Sequence, residues 1–132
     1  MESNMKTQHI PLIIEKGDDN LLWGRVEYGD NLITDFGNTL PELEVKIKAL
    51  LLEFEEVKPE TIVFEHSYDI SALFQRFDFL KISNVAEHAG MNPGLLRQYV
   101  SGAKNPSKDQ AKKIERTLHQ LAQELQKVTI IT

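Results

Sequence analysis

The stretch Ile82-Ser83-Asn84-Val85-Ala86-Glu87-His88-Ala89-Gly90-Met91-Asn92-Pro93-Gly94-Leu95-Leu96-Arg97-Gln98-Tyr99-Val100-Ser101 decides how the second half of this chain is read. Val85 and Ala89 are spaced to share one face of a first helix, Ser83–Ala89. Leu96 and Tyr99 share one face of a second, Pro93–Ser101. Ala86 is small where two helices would cross. Gly90 stands where the chain must turn sharply, and positive φ is cheapest for glycine. Met91 plugs the corner, Asn92 caps the second helix and Pro93 takes its first turn, where no N–H is needed. Each residue answers a separate need of two helices joined by a tight turn.

Outward from this pair the pattern stays helical. Asp69 is a candidate N-cap ahead of a stripe of Ile70, Leu73, Phe74 and Phe77. Gly102–Pro106 reads as a loop, and Ser107 caps a long helix reaching about Lys127. Ile114, Leu118, Leu121, Leu125 and Val128 alternate steps of four and three on that helix. This is a two-heptad seam, too short for a free coiled coil but suited to packing on Phe74 and Phe77 or to a dimer contact. Val128 to Ile131 is β-prone and is expected to add an edge strand.

The first half has a different period. Ile10–Lys16, Leu21–Tyr28 and Leu32–Phe36 read as strands, joined by Gly17-Asp18-Asp19-Asn20 and Gly29-Asp30-Asn31 turns. Leu22, Val26 and Tyr28 fall on one face of the second strand, with Trp23, Arg25 and Glu27 on the other. The short connections predict an antiparallel meander. Thr39-Leu40-Pro41-Glu42 has capping-box spacing and opens a helix, Thr39 to Glu56, with Leu43, Ile47, Leu50, Leu51 and Phe54 on its apolar face. Thr61–Glu65 is a fourth β-rich segment. The expected fold class is therefore α+β: a β-β-β-α-β domain over 1–67, then an all-α helix-turn-helix domain over 68–132.

The chain has 132 residues, with 41 % hydrophobic and 27 % charged, the composition of an ordinary globular protein. It contains no cysteine, which excludes disulfides and thiolate metal sites. Apolar runs are too short to span a bilayer, and Met1–His9 lacks a signal-peptide core, so the expected location is the cytoplasm, with no membrane partner. The net charge of −5 is divided: residues 1–66 carry −8 and residues 67–132 carry +3. An acidic region attracts cationic partners, and a basic one attracts nucleic acid.

The carboxylates Glu15, Asp18, Asp19, Glu27, Asp30 and Asp35 fall in turns or alternate with apolar residues, as a solvated surface does. Metal-dependent nuclease chemistry needs several of them to converge. His9, His66, His88 and His119 are far apart in sequence, and there is no phosphate loop. No enzyme activity, cofactor, metal or catalytic residue is expected.

Val85, Ala86, Ala89, Gly90, Met91, Leu96 and Tyr99, with Gly102 and Pro106-Ser107 behind them, resemble the lambda-repressor-like helix-turn-helix family across about Asp69 to Leu125. The resemblance implies double-stranded operator DNA as a partner. On the recognition helix Pro93 and Gly94 replace the usual polar base-readers, and Val100 replaces a frequent acidic residue. Arg97 and Gln98 remain as groups that pair with guanine and adenine. Leu95, exposed by periodicity, meets a thymine methyl, Asn92 or Ser101 meets phosphate, and Lys104, Lys108 and Lys112 line the DNA backbone. A single such module reads few bases, so a homodimer or higher assembly is expected.

The first half resembles the HicB antitoxin family. The residues carrying this are Ile10–Glu15, Trp23-Gly24-Arg25-Val26 and Phe36-Gly37-Asn38-Thr39-Leu40-Pro41-Glu42-Leu43, with Asn38 where the family has aspartate. The resemblance implies a degraded ribonuclease-H-like fold without catalytic carboxylates, an acidic domain that binds a small basic HicA-like toxin, and repression of the toxin–antitoxin operon. The competing expectation is an orphan transcriptional regulator without a toxin, its first domain serving dimerisation or another ligand.

Overall fold

The computed structural model describes residues 6–132. The chain divides into two compact units, Met1–Leu73 and Phe74–Thr132. The division falls inside a short helix rather than at the 67/68 boundary read from the sequence. The fold is α+β, with one four-stranded sheet and five α-helices among the described residues.

The first unit is built on β1 (Gln8–Lys16), β2 (Leu22–Tyr28), β3 (Asn31–Gly37), α1 (Leu40–Glu55) and β4 (Ile62–Tyr68), with one turn of 3₁₀ helix at Pro59–Thr61. Strand order is β3-β2-β1-β4. The pairs β1–β2 and β2–β3 are antiparallel, as the short turns demand. β4 returns through α1 to lie parallel to β1, with Ile10 opposite Phe64 and Leu12 opposite His66. A parallel return needs a crossover of a dozen or more residues, and α1 supplies it.

Period-two alternation puts Ile10, Leu12, Ile14, Leu22, Val26, Ile33, Ile62 and Phe64 on the covered face, where Leu40, Leu43, Ile47 and Leu51 of α1 close the core. Gly24 is required by this crossing. A Cβ there would lie 2.9 Å from Leu43 Cδ2 and 3.1 Å from Leu12 Cδ1, too close for a packed interior.

α1 begins as its sequence predicts. Thr39 Oγ1 accepts from the Glu42 N–H at 3.3 Å, and Glu42 Oε2 accepts in return from the Asn38 N–H at 3.0 Å. That hydrogen bond, aided by Lys46, holds the Glu42 carboxyl below its ordinary pKa. Its end differs from expectation. Phe54, assigned to the apolar face, is 66 % exposed, while Val57 is buried. Glu56 adopts the left-handed conformation, and the Val57 N–H reaches back to the Leu51 carbonyl at 3.1 Å. This folds Val57 under the helix end, and Val57 closes the core where Phe54 was expected.

α2 (Ile70–Arg76) follows, its first turn capped by Asp69, whose Oδ1 accepts from the Ala72 N–H at 2.7 Å. The second unit continues with α3 (Ile82–Ala89), α4 (Pro93–Ser101) and α5 (Lys108–Gln126). α3 packs against both α4 and α5. The buried apolar residues of the second unit are Phe74, Val85, Ala86, Ala89, Met91, Leu96, Tyr99 and Ile114. The expected edge strand at Val128–Ile131 is absent, and these residues form no regular element. A strand exists only against a partner, and this unit contains helices alone.

Candidate nucleic-acid interface

The turn between α3 and α4 is set by backbone hydrogen bonds that the sequence makes cheap. Gly90 takes φ 65° and ψ 37°. Its N–H reaches the Glu87 carbonyl at 3.1 Å, and the Met91 N–H reaches the Ala86 carbonyl at 2.9 Å. These two bonds satisfy carbonyls that the end of α3 would leave open. Met91 is thereby turned into the core beside Ala86. A Cβ on Gly90 would meet nothing within 4 Å. Glycine is there for its dihedral angles, in contrast to Gly24, which is there for space.

Asn92 Oδ1 then accepts from the Gly94 N–H at 2.7 Å and the Leu95 N–H at 3.3 Å, with Pro93 in the first turn. A Cβ at residue 94 would lie 3.1 Å from Asn92 Oδ1, a tight contact that the Asn92 side chain would have to accommodate. Gly102 ends the helix at φ 85°. Ser107 Oγ caps α5 by accepting from the Gln110 N–H at 3.1 Å.

α4 has two sides. Leu96 and Tyr99 are buried, whereas Gly94, Arg97, Gln98 and Ser101 are exposed. Residues at these intervals of three and four lie on one continuous helix face. Arg97 and Gln98 thus stand side by side in solvent, framed by glycine at one end and serine at the other. Leu95, expected in the open, is half-buried at the margin of this face, because a helix of two and a half turns has no strictly binary sides. Lys104, Lys108 and Lys112 are all exposed, Lys104 on the loop after α4 and the other two in the first turns of α5.

Two predicted phosphate contacts carry structural duties. The Asn92 carbonyl oxygen is occupied by its cap. The Ser101 hydroxyl donates to the Gln98 carbonyl at 3.2 Å and accepts from the Ala103 N–H at 3.3 Å. Both remain at the surface. In the sequence Gly94 is visible only as a departure from a pattern. Its place on the exposed face follows from the spacing to Arg97 and Gln98.

Among the described residues, the second face of the first unit's sheet carries exposed and half-buried side chains. Register puts Trp23 opposite Phe36 and Glu15, Arg25 opposite Thr34 and Ile13, and Glu27 opposite Leu32. Trp23 and Phe36 are in ring contact at 4.9 Å, and Lys46 Nζ lies 4.8 Å from the Phe36 ring. Arg25 Nε donates to Glu15 Oε1 at 2.8 Å, and this pairing raises the Arg25 pKa. Glu27 and Glu65 are exposed on the same face. Sequence alternation grouped Trp23, Arg25 and Glu27, but their neighbours on β3 and β1 depend on register.

Among the described residues no group of three or more histidine or acidic side chains is placed to hold a metal ion, and no helix is long and apolar enough to cross a membrane. No family model matches this chain, no curated protein matches its sequence and no solved structure matches its fold.

Proposed function

We propose that the chain is a DNA-binding regulatory protein of HicB antitoxin type. In this reading α4 enters the major groove of double-stranded operator DNA, and the acidic first unit binds a small basic HicA-like ribonuclease toxin. The chain itself is not an enzyme, needs no cofactor, and works in the cytoplasm as a homodimer or higher assembly. The observation that carries the reading is the Gly94–Arg97–Gln98–Ser101 face. It is solvent-exposed, lies opposite a buried Leu96–Tyr99 seam, and is followed by Lys104, Lys108 and Lys112. Arg97 supplies a bidentate donor pair suited to guanine, and Gln98 supplies one donor and one acceptor suited to adenine. The lysines supply sequence-independent attraction to phosphate. For the toxin-binding half, the support is the −8 charge of residues 1–66 and the open Trp23–Phe36 sheet face with its carboxylates. That face offers apolar contact and electrostatic steering to a cationic partner.

The test is a fluorescence-anisotropy titration of the full chain on duplexes from the region upstream of its own gene, at several salt concentrations. Arg97→Ala is expected to cost about 1–3 kcal/mol on the preferred site. Lys104→Ala and Lys108→Ala are expected to weaken all duplexes alike and to reduce the salt slope by about one each. Wild-type affinity in Arg97→Ala would remove α4 as the reading helix. For the partner, co-expression with any small basic protein encoded beside the gene, followed by pull-down at low and high salt, is expected to capture it. Failure at both salts leaves the orphan-regulator reading.

A further inference from the structure

The sheet of the first unit has two edges, and the chain treats them differently. The β2–β3 turn is a two-residue hairpin closed by Tyr28 and Asn31. The main-chain groups of Leu32, Thr34 and Phe36 therefore point away from β2, to the open side of β3. At Phe36 both are taken: its N–H donates to Asp35 Oδ1 at 2.8 Å, and its carbonyl accepts from Lys46 Nζ at 2.9 Å. Side chains that occupy an edge in this way discourage a further strand. The other edge is β4. The Asp69 N–H donates to the Ile14 carbonyl at 3.0 Å, which fixes the alternation. Val63, Glu65 and Ser67 turn their main-chain groups to β1, while Ile62, Phe64 and His66 turn theirs outward. The Ile62 N–H donates to the Pro59 carbonyl. Among the described residues nothing hydrogen-bonds the main-chain N–H or C=O of Phe64 or His66. β4 carries no proline, lysine or bulge that would blunt it.

The side chains along this edge select what pairs with it. Val63, Glu65 and Ser67 stand exposed on the outer face, and Glu65 meets only His9 Nδ1, at 4.0 Å, among the described residues. On the α1 side the polar groups are already matched: Glu44 Oε1 lies 3.0 Å from His66 Nε2, and Lys48 Nζ lies 5.8 Å from the Phe64 ring. A second copy of the chain is disfavoured here. Two β4 strands across a two-fold axis use all their free groups in the register that pairs Phe64 with His66. That register sets one Glu65 directly against the other, and like charges directly opposite are destabilising. A cation in the same place gains what a second carboxylate loses. Residues 1–66 carry −8, so a positively charged strand is also steered toward this unit.

We propose that the open edge of β4 is a strand-addition site. An extended, basic segment of a protein partner pairs through its main chain with Phe64 and His66, and places a lysine or arginine against Glu65. In such a site main-chain hydrogen bonds supply affinity, and the alternate side chains supply selection. The site deepens the partner-binding half of the functional reading and rests on that reading only for the identity of the partner. It makes the register of the incoming strand, set by Glu65, the quantity that decides recognition.

The probe is a synthetic peptide of about seven residues, a strand's length, alternating valine and lysine. It is titrated onto the full chain while amide exchange is followed by NMR. At about ten times its dissociation constant it is expected to slow exchange of the Phe64 and His66 N–H groups about tenfold. A valine–glutamate peptide is expected to protect neither group in wild type, but to protect both in Glu65→Lys, which changes only an exposed side chain. Methylating alternate main-chain nitrogens of the lysine peptide keeps its charge and removes donors from one side. One methylation frame is expected to abolish protection and the other to leave it. His66→Pro removes an edge N–H and no ladder bond, and is expected to abolish protection at Phe64. His66→Ala, which loses only the side chain, should keep it. Circular dichroism checks that each variant is folded. A lysine peptide that leaves Phe64 and His66 unprotected, or that protects them in both methylation frames, overturns the proposal. So does protection that appears without peptide and rises with protein concentration, which assigns the edge to a second copy. The pull-down separates the two readings. Peptide protection with no neighbouring basic protein captured keeps the edge and removes the antitoxin, and capture without peptide protection does the reverse.

Discussion

The two units are held together by different kinds of information. In the second, nearly every boundary is written within four residues of where it acts: Gly90 for the turn, Asn92 and Pro93 for the start of α4, Gly102 for its end and Ser107 for α5. In the first, the decisive contacts join distant residues: Gln8–Ile14 with Ile62–Tyr68 in the parallel pair, and Gly24 with Leu43 at the helix crossing. The first unit also has the larger core, one cluster of buried side chains from β1 through α1 to β4. The lesson is that an exposed polar face can be built on short helices if caps fix them locally. A four-stranded sheet must instead be specified by packing.

The contrast can be broken most forcefully at Leu43, fully buried at the centre of the first core. Leu43→Ala is expected to cost about 2–5 kcal/mol, measured by urea denaturation followed through Trp23, the only tryptophan and a residue of this unit. A loss below 1 kcal/mol would mean that the sheet and α1 repack freely, against the contacts at Gly24.

The two glycines sharpen it. Gly24→Ala is expected to cost about 1–3 kcal/mol through overpacking against Leu43 and Leu12. Gly90→Val is expected to cost a comparable amount through backbone strain alone, in the range of about 1–3 kcal/mol for a side chain forced to positive φ. Asparagine discriminates the two causes. It tolerates the left-handed region, so Gly90→Asn should be much milder than Gly90→Val, whereas Gly24→Asn should be worse than Gly24→Ala. The same order of variants at both sites would refute the distinction.

A smaller effect is expected from the cap. Asn92→Ala should destabilise the second unit by about 1 kcal/mol, read as faster amide exchange at Gly94 and Leu95, whose N–H groups it serves. Unchanged exchange there would show that α4 is held by packing rather than locally.

The smallest is a pH effect at the start of α1. The folded-state pKa of Glu42 is lowered, first by its hydrogen bond from Asn38 and then by Lys46. Its contribution is therefore present above the ordinary glutamate value and is lost as pH falls through the folded value. The stability difference between wild type and Glu42→Gln should be largest near neutrality and should shrink on acidification below about pH 4. A difference independent of pH would assign the cap to geometry alone.

What the sequence determined by itself was whatever one turn of chain can enforce. The helix pair, its capping residues, the β-β-β-α-β order, the inward Leu22 and Val26 and the acidic–basic division are legible because caps, turn residues and periodicities act over a few residues. Arg97 and Gln98 are legible as neighbours on an exposed face for the same reason. Tertiary structure decided the rest. It put β4 parallel to β1, since strand pairing across half a chain leaves no local mark. It buried Val57 and exposed Phe54, since the left-handed turn at Glu56 governs which apolar residue folds under the helix. It left Val128–Ile131 unpaired, since β-propensity is realised only against an edge, and half-buried Leu95, since burial is set by what a neighbouring helix covers. It brought Trp23 onto Phe36 through the register of β2 with β3. Each of these depends on a partner far away in the sequence, and the free energy of a contact between distant residues belongs to the pair, not to either local pattern.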